Sequence, residues 1–413
     1  MKPVVVVGAG VIGLAAAYAL RKRGRSVLVL DQGVPGRGCS SGNAGWICPS
    51  LSAPIPAPGL PLTALRWMLR SDSPLYIAPA GALGMLPWLL RFARSCTTRS
   101  HERGLAATAS FNRAAQAAFD RLVHDGVACE LHRDGLLHVF RDARALDASL
   151  EEHRALSRHG YGEPEVLSAT AVRRREPALS DQVVGGYFVR EEYHVRPETL
   201  TDGYVTRLAA MGVEVRSGAQ VTRLVQEHGR IVGVDAPDGV IQADEVLVAA
   251  GARSGVLLET VGVRLPTTAG KGYSITVSDQ VLRVHRPLYL GGTRIACTPF
   301  DGVTRIAGTM ELSGVNERLD RRRLDAIRRG TAPFFQASLD ADRGTEWVGM
   351  RPLTPDGLPI IGPIAGRPGL FVATGHAMLG ITMAPLTGEA IADVMTGVAD
   401  PASLGAFDPS RFA

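Results

Sequence analysis

Lysine is nearly absent from this chain: Lys2, Lys22 and Lys271 are the only three in 413 residues, and arginine carries the rest of the positive charge. A compositional bias of the genome explains that preference more simply than any function. The net charge of +5 is modest, and the basic clusters VRRREP (172–177) and RRRLDAIRR (321–329) have no aromatics interleaved. They read as solvated helix faces, so nucleic acid is not an expected partner. Cysteine is too sparse to build a framework. Cys39, Cys48, Cys96, Cys129 and Cys297 form no CxxC pair and no metal-like spacing, and their number is odd. That pattern speaks against disulfides and a metal centre, and it fits reduced thiols in the cytoplasm. No uninterrupted apolar run reaches the ~18 residues of a spanning helix. The N-terminal apolar run opens into glycines rather than a cleavage site, so no secretory leader is expected. Internal repeats and low-complexity tracts are missing too.

Glycine, in contrast, is abundant, with 47 residues. PVVVVGAG is a short apolar strand that ends in glycine, VIGLAAAYALRKRG reads as a helix, and SVLVLD is a second strand. Gly8, Gly10 and Gly13 thus form GxGxxG between a strand and a helix. The first allows a tight turn, the second lets a pyrophosphate approach the backbone, and the third lets helix and strand pack closely. Val11 and Ile12 open the helix, whose free N–H groups and partial positive charge suit phosphate. Asp31, followed by Gln32, ends the second strand, where a carboxylate can accept both ribose hydroxyls. All these parts fall in register within about 30 residues, the size of a dinucleotide-binding unit. Asp31 would repel a 2′-phosphate, which argues against NADP. The lack of a second GxGxxG and of a redox cysteine pair argues against a disulfide reductase.

Three further glycine-rich stretches stand elsewhere. CSSGNAGWICPS (39–50), with Ser40, Ser41, Gly42, Asn43, Ala44 and Gly45, follows the second strand. VLVAAG (246–251), with Ala250 and Gly251, ends a buried strand, and TGHAMLGITMAP (374–385) lies between the strand LFVATG and a helix. Each could border a cofactor or be a plain turn. RPETLTDGYVTRLAAMG reads as a helix, VEVRSGAQVTRLVQEHGRIVGV as a strand pair turning at His228–Gly229, and residues 321–339 as a helix. GLLHVF, GGYFVR, GYSITVS, LYLGG, RIACTPF and TRIAGTMEL read as strands, the last four suggesting an antiparallel sheet. SFNRAAQAAFDRLVHDG reads as one helical segment. The expected architecture is therefore α/β with α+β inserts: a discontinuous Rossmann-type domain (1–65, 146–178, 194–263 and 346–413) interleaved with an antiparallel-sheet-plus-helices substrate domain (66–145, 179–193 and 264–345).

Together VVVVGAGVIGLAAAYAL, SSGNAG, VLVAAGARS, KGYSIT, GMRPLTPDGLPIIGP and ATGHAMLGITMAPLTGEAIAD resemble the FAD-dependent amine oxidoreductases of the D-amino-acid oxidase and glycine oxidase superfamily. Within it the chain looks most like bacterial D-amino-acid and D-hydroxyproline dehydrogenases, over residues 4–396. The resemblance implies FAD, with the first glycines at its pyrophosphate and Val221 meeting the adenine through its main chain. The loop with Gly375, His376, Met378, Leu379 and Gly380, and the helix continuing through Ile381 and Thr382, would face the pyrimidine end of the flavin. There a helix N-terminus stabilises the negative charge that develops on reduction. Neither the cysteine nor the histidine that some relatives use for flavin attachment has a counterpart, and Cys39 is not at such a position, so FAD is expected to be non-covalent.

The resemblance also implies that Arg351 in GMRPLTPDG clamps the substrate carboxylate through two parallel hydrogen bonds and borders the flavin; an arginine paired to scaffold is the other reading. Tyr273 could donate to the same carboxylate or simply pack on the sheet. Tyr193 and His194 are substrate-contact candidates for which a surface or capping role is the stronger reading, and Trp46 and His376 could wall the pocket or pack. No residue is needed as a base, because a neutral amine can release its Cα hydrogen as hydride to flavin N5. The imino acid formed would hydrolyse to a 2-oxo acid, and a cyclic substrate would give a pyrroline instead. A quinone or other carrier would take the electrons. The alternatives are a D-hydroxyproline or other cyclic imino-acid dehydrogenase, a glycine or sarcosine oxidase releasing hydrogen peroxide, and a non-catalytic FAD-binding subunit. The apolar segment from Trp67 to Phe92 reads as a lid of the substrate domain or as a peripheral contact with the inner face of the membrane.

Overall fold

The computed structural model describes residues 2–61, 75–77, 79–338 and 343–413. Four largely apolar runs, Val4–Val7, Val27–Leu30, Glu245–Val248 and Leu370–Thr374, pair in parallel, as runs covered on both faces do. With Glu214–Arg216 and Ile360–Pro363 they make a six-stranded sheet in the order 214–216, 27–30, 4–7, 245–248, 370–374, 360–363. Only the last pair is antiparallel. Alternate residues of the opening strand serve opposite layers. Val4 and Val6 join the core under the helices Val11–Lys22 and Gly380–Met395, while Val5 and Val7 join Leu224, Ile231 and Leu258 on the other face. Burying each such valine stabilises the fold by roughly 1.5–3 kcal/mol.

The two helices touch closely. A Cβ on Gly388 would lie 2.5 Å from the Ala15 carbonyl oxygen, so the late helix can approach the first only because it carries glycine there. The late glycine loop follows strand Leu370–Thr374, one strand beyond Glu245–Val248 from the opening strand. Two glycine sets some 365 residues apart in sequence thus lie at the same end of one sheet.

A nine-stranded sheet forms the second layer. Its order is 345–353, 268–278, 303–312, 295–300, 288–290, 136–140, 185–189, 165–168, with Leu75–Ile77 also paired to 303–312. It is antiparallel except where 288–290 meets 136–140 and where 303–312 meets 75–77. Those strands come from distant segments and so escape the hairpin connections that enforce antiparallel pairing. Sheet membership cuts across the expected domain grouping, because 165–168 and 345–353 both lie in this sheet. Two small sheets complete the fold, a meander of 223–227, 230–236 and 239–242, and a trio of 46–47, 193–195 and 131–132. The meander turns at His228 (φ 48°) and Gly229 (φ 83°), the left-handed pair of a tight hairpin.

Two helices differ from expectation. The segment read as one helix divides into Thr98–Asn112 and Ala115–His124, at a point where buried Asn112 turns its amide to Ser52 Oγ, 2.7 Å away. The helix from Arg321 ends at Thr331, two residues before Pro333, whose ring cannot continue it; Leu339 lies outside the described residues. Trp67 also lies outside them. The described residues of its segment lie in strand Leu75–Ile77 and helix Pro79–Ser95, which buries Met85 and Trp88 and leaves Leu86 and Leu90 about half exposed. Among the described residues, no helix is long and apolar enough to cross a membrane.

Candidate active site

Gly8 sits at φ 107°, and a Cβ there would lie 2.5 Å from the Ala249 carbonyl oxygen. The turn therefore needs glycine for both its dihedral and its packing. A Cβ on Gly13 would collide with the Gly8 carbonyl oxygen, so helix and strand meet through that position. Gly10 is the N-cap of the helix and brings no side chain of its own to its N-terminus. Asp31 receives the Ala9 N–H at 2.7 Å on one oxygen and the Gly33 N–H at 2.8 Å on the other, while Ser40 Oγ accepts the Val11 N–H at 2.9 Å. The carboxylate thereby braces the turn, and each oxygen keeps a lone-pair direction for a further donor.

These residues open into a cavity of about 1580 Å³ that runs between the six-stranded and nine-stranded sheets. Val221, Gln32, Ala250 and Gly251 border it at the sheet end, and Met378 to Thr382 border it at the late loop. Every residue expected at the cofactor lines this cavity except Gly13, Ser41, Gly42 and Gly375. Those four pack behind its wall. Gly42 (φ 63°) leaves room for the Trp347 indole, and a Cβ on Gly375 (φ 82°) would lie 2.6 Å from Thr354 Cγ2. Ser41 Oγ donates to the carbonyls of Arg37 and Gly38.

Of the substrate candidates, Arg351, Trp46 and His376 line the cavity; Tyr273, Tyr193 and His194 do not. Residues alternate across a strand, and in 268–278 that alternation turns Tyr273 away. Its hydroxyl donates to Glu311 at 2.5 Å in a fully buried setting. Its neighbour Gly272 faces the cavity side, where any side chain would strike the Arg351 guanidinium. Tyr193 reaches Asp120 with Arg133 over its ring, and His194 stacks on His132 with Nε2 on the Pro299 carbonyl.

Arg351 is held through Nη1 by the Thr309 carbonyl at 3.2 Å. Among the described residues no carboxylate pairs with it, and burial works against its charge. Burial likewise pushes the Cys39 thiol up to about 11, so it stays a neutral wall. Trp46 is fixed by its Nε1–H on Thr298 Oγ1 at 2.9 Å. His376 hydrogen-bonds Thr387 Oγ1 at 3.0 Å through Nε2, and burial pushes it down to about 3, so the ring is neutral.

Sequence reading missed three residues here. Thr309 has φ 56°, a conformation costly for a β-branched side chain. Its Oγ1 is buried without a partner among the described residues, on the cavity wall. Arg305 and Glu198 pair at 3.1 Å; Arg305 donates to the Asn43 carbonyl and Glu198 accepts the Gly42 N–H. They fasten the loop beneath the cavity. Only a scattered trio of unrelated segments carries that arrangement, so no local motif announces it.

Comparisons with known proteins bear on the family and the fold. The family model described as "FAD dependent oxidoreductase" matches residues 3–394. A D-amino acid dehydrogenase of Methylobacterium sp. (strain 4-46) is 35% identical over 405 residues, covering 95% of each chain. One of Xanthobacter autotrophicus is 33% identical over 418 residues, covering 99% of each. The glycine oxidase structure from Geobacillus kaustophilus shares the fold, with TM-score 0.76 and 23% identity over 99% of this chain and 98% of that one.

Proposed function

The chain belongs to the FAD-dependent oxidoreductase family, and on that premise we propose that it oxidatively deaminates D-amino acids to imino acids, which water converts to 2-oxo acids and ammonia. The residues present fit FAD. The glycine turn would be filled by any Cβ, the N-cap Gly10 behind it brings no capping side chain, and the cavity continues past Trp46 to a second helix N-terminus at Gly380. Gly8, Gly10 and the Ile12 N–H would hold the pyrophosphate, Asp31 the ribose, and the loop 376–382 the flavin. When bound, FAD supplies the two-electron acceptor for hydride leaving the substrate Cα. The division of labour follows: the six-stranded sheet holds the cofactor and the nine-stranded sheet roofs the substrate.

The observation that carries the substrate reading is Arg351, a cation on the cavity wall with no carboxylate of its own among the described residues. A substrate carboxylate is the counter-ion that compensates its burial, held by two parallel N–H donors. Thr309 Oγ1 provides a third donor beside it. Neutral His376 does not accept the substrate's proton; the amine arrives neutral and the ring holds the loop by its bond to Thr387. We assign reoxidation to a quinone or another carrier rather than oxygen, in keeping with relatives named dehydrogenases. Incubation of the holoenzyme with D-amino acids and an artificial electron acceptor tests the reaction. Stoichiometric 2-oxo acid and ammonia support it, and stoichiometric hydrogen peroxide in air without an added acceptor would reassign the enzyme as an oxidase.

A further inference from the structure

The cavity does not stop at the clamp. One row of the nine-stranded sheet, read across its strands, runs Ser274, Ala307, Ala296, Tyr289, His138, Tyr187, each in register with the next. In-register residues face the same side of a sheet. All but Ser274 line the same cavity as Arg351. The two alanines leave a floor with no side chain standing on it. Beyond them the row ends in rings: His138 stacks on Tyr187 at 4.3 Å, and Tyr289 tilts over His138 at 5.1 Å. Trp46, itself a cavity residue, packs on Tyr289 at 6.3 Å and joins the two regions.

His138 is the unusual member. It is 1% exposed, and neither ring nitrogen has a partner among the described residues. Leaving a buried donor and a buried acceptor unpaired is costly unless something in the cavity satisfies them. Tyr187 does not, because its hydroxyl is engaged with Ser149 Oγ at 2.9 Å. His153 adds a further unpartnered nitrogen, Nε2, on the same chamber.

Resting on the proposed reaction, we propose that this chamber receives the distal end of the substrate side chain and selects D-amino acids whose side chain ends in a ring with a hydrogen-bonding group, of the hydroxyphenyl type. From Ala296 to His138 is two strand spacings, roughly 10 Å, a reach suited to an aromatic side chain crossing the alanine floor. The neutral imidazole offers one donor and one acceptor on nitrogens that point apart, and a phenol hydroxyl can pair with either one. An apolar electron acceptor would leave both nitrogens unpaired. The apolar branch of the cavity at Leu75, Ile77, Trp88 and Phe92 suits such a molecule better.

The test uses the FAD-loaded enzyme and its His138→Leu variant, with anaerobic flavin reduction by D-tyrosine, D-phenylalanine and D-alanine. In the native enzyme D-tyrosine is expected to exceed D-phenylalanine by about tenfold or more in kcat/KM, the worth of one or two hydrogen bonds. His138→Leu abolishes that preference and leaves D-alanine within about threefold. A native enzyme indifferent to the hydroxyl would overturn the proposal. So would a variant that lowers all three substrates equally, or one that slows only reoxidation. Should His138→Leu fail to fold, Ala296→Leu raises the floor and is expected to suppress D-tyrosine and D-phenylalanine while sparing D-alanine. Binding of 3-(4-hydroxyphenyl)propionate against 3-phenylpropionate, read from the shift of the flavin band, tests the chamber without turnover. Equal affinities would refute the chamber even in an enzyme that reduces on D-amino acids. A preference for the hydroxylated acid in an enzyme that no D-amino acid reduces would leave the chamber standing and remove the deamination reading.

Discussion

Two cations stand on adjacent strands of the same sheet, Lys271 buried and Arg351 half-buried on the cavity wall, and their surroundings differ. Lys271, 2% exposed, has Glu311 at 2.8 Å, the Asn316 amide oxygen at 3.2 Å and the Arg318 carbonyl at 2.8 Å. Burial alone would raise the Glu311 carboxyl, but donors from Lys271, Ser313 and Tyr273 hold it below the usual range. That cluster is complete within the chain. Arg351, a paired strand away, has one carbonyl and an open cavity. A buried charge without its counter-ion is expensive, so what compensates a cation separates scaffold from site better than residue type does.

Breaking the comparison at its open end gives the largest effect. Arg351→Met is expected to lower kcat/KM for D-amino acids by about a thousandfold, in the range found when one partner of a hydrogen-bonded charge pair is truncated. Flavin content should be retained. Arg351→Lys should fall between, because an ammonium cannot make the two parallel bonds. Stopped-flow reduction measures both. At the closed end, Lys271→Met leaves Glu311 buried without its cation and should cost about 3–5 kcal/mol of stability in denaturant unfolding, with reduction kinetics of the folded fraction little changed. Equal kinetic damage from both substitutions would erase the distinction.

A buried anion sharpens the same contrast. Glu192, behind Ser50 and with no ion-pair partner among the described residues, is pushed up to about 7 by burial, against an ordinary 4.5. The fold keeps its proton where the unfolded chain has lost it. Stability from this group therefore declines as pH rises from about 4.5 to 7, and the full penalty stands above that window. Glu192→Gln should gain on the native chain across that range by up to about 3 kcal/mol, read from denaturant midpoints at pH 4 and pH 8. The smallest effect belongs to Thr387→Val, which removes the partner of a ring that is already neutral. It should cost about 1 kcal/mol, and no histidine step should enter the pH profile of flavin reduction between pH 5 and 8.

The parallel layer was legible in sequence because its signals are local. GxGxxG, Asp31 and the continuous valine runs act within a few residues, and the structure builds strand, turn and helix where they stand. Arg351 was legible only through its resemblance to a family. Tyr273 stayed open between pocket and sheet because its motif does not say which face of strand 268–278 it takes. The register against Glu311 and Gly308 decides that, and register is set by partners far away in sequence. Thr309 and the Glu198–Arg305 brace were invisible for the same reason: a strained backbone and a long-range ion pair leave no periodic trace.

The measurement that bears most directly on the whole account is anaerobic titration of the purified, flavin-loaded chain with paired D- and L-amino acids, followed in the visible spectrum. Bleaching of the flavin band by D-enantiomers, with the L-enantiomers silent, is the expected result. A flavin that L-amino acids bleach equally well, or that no amino acid reduces, would contradict it.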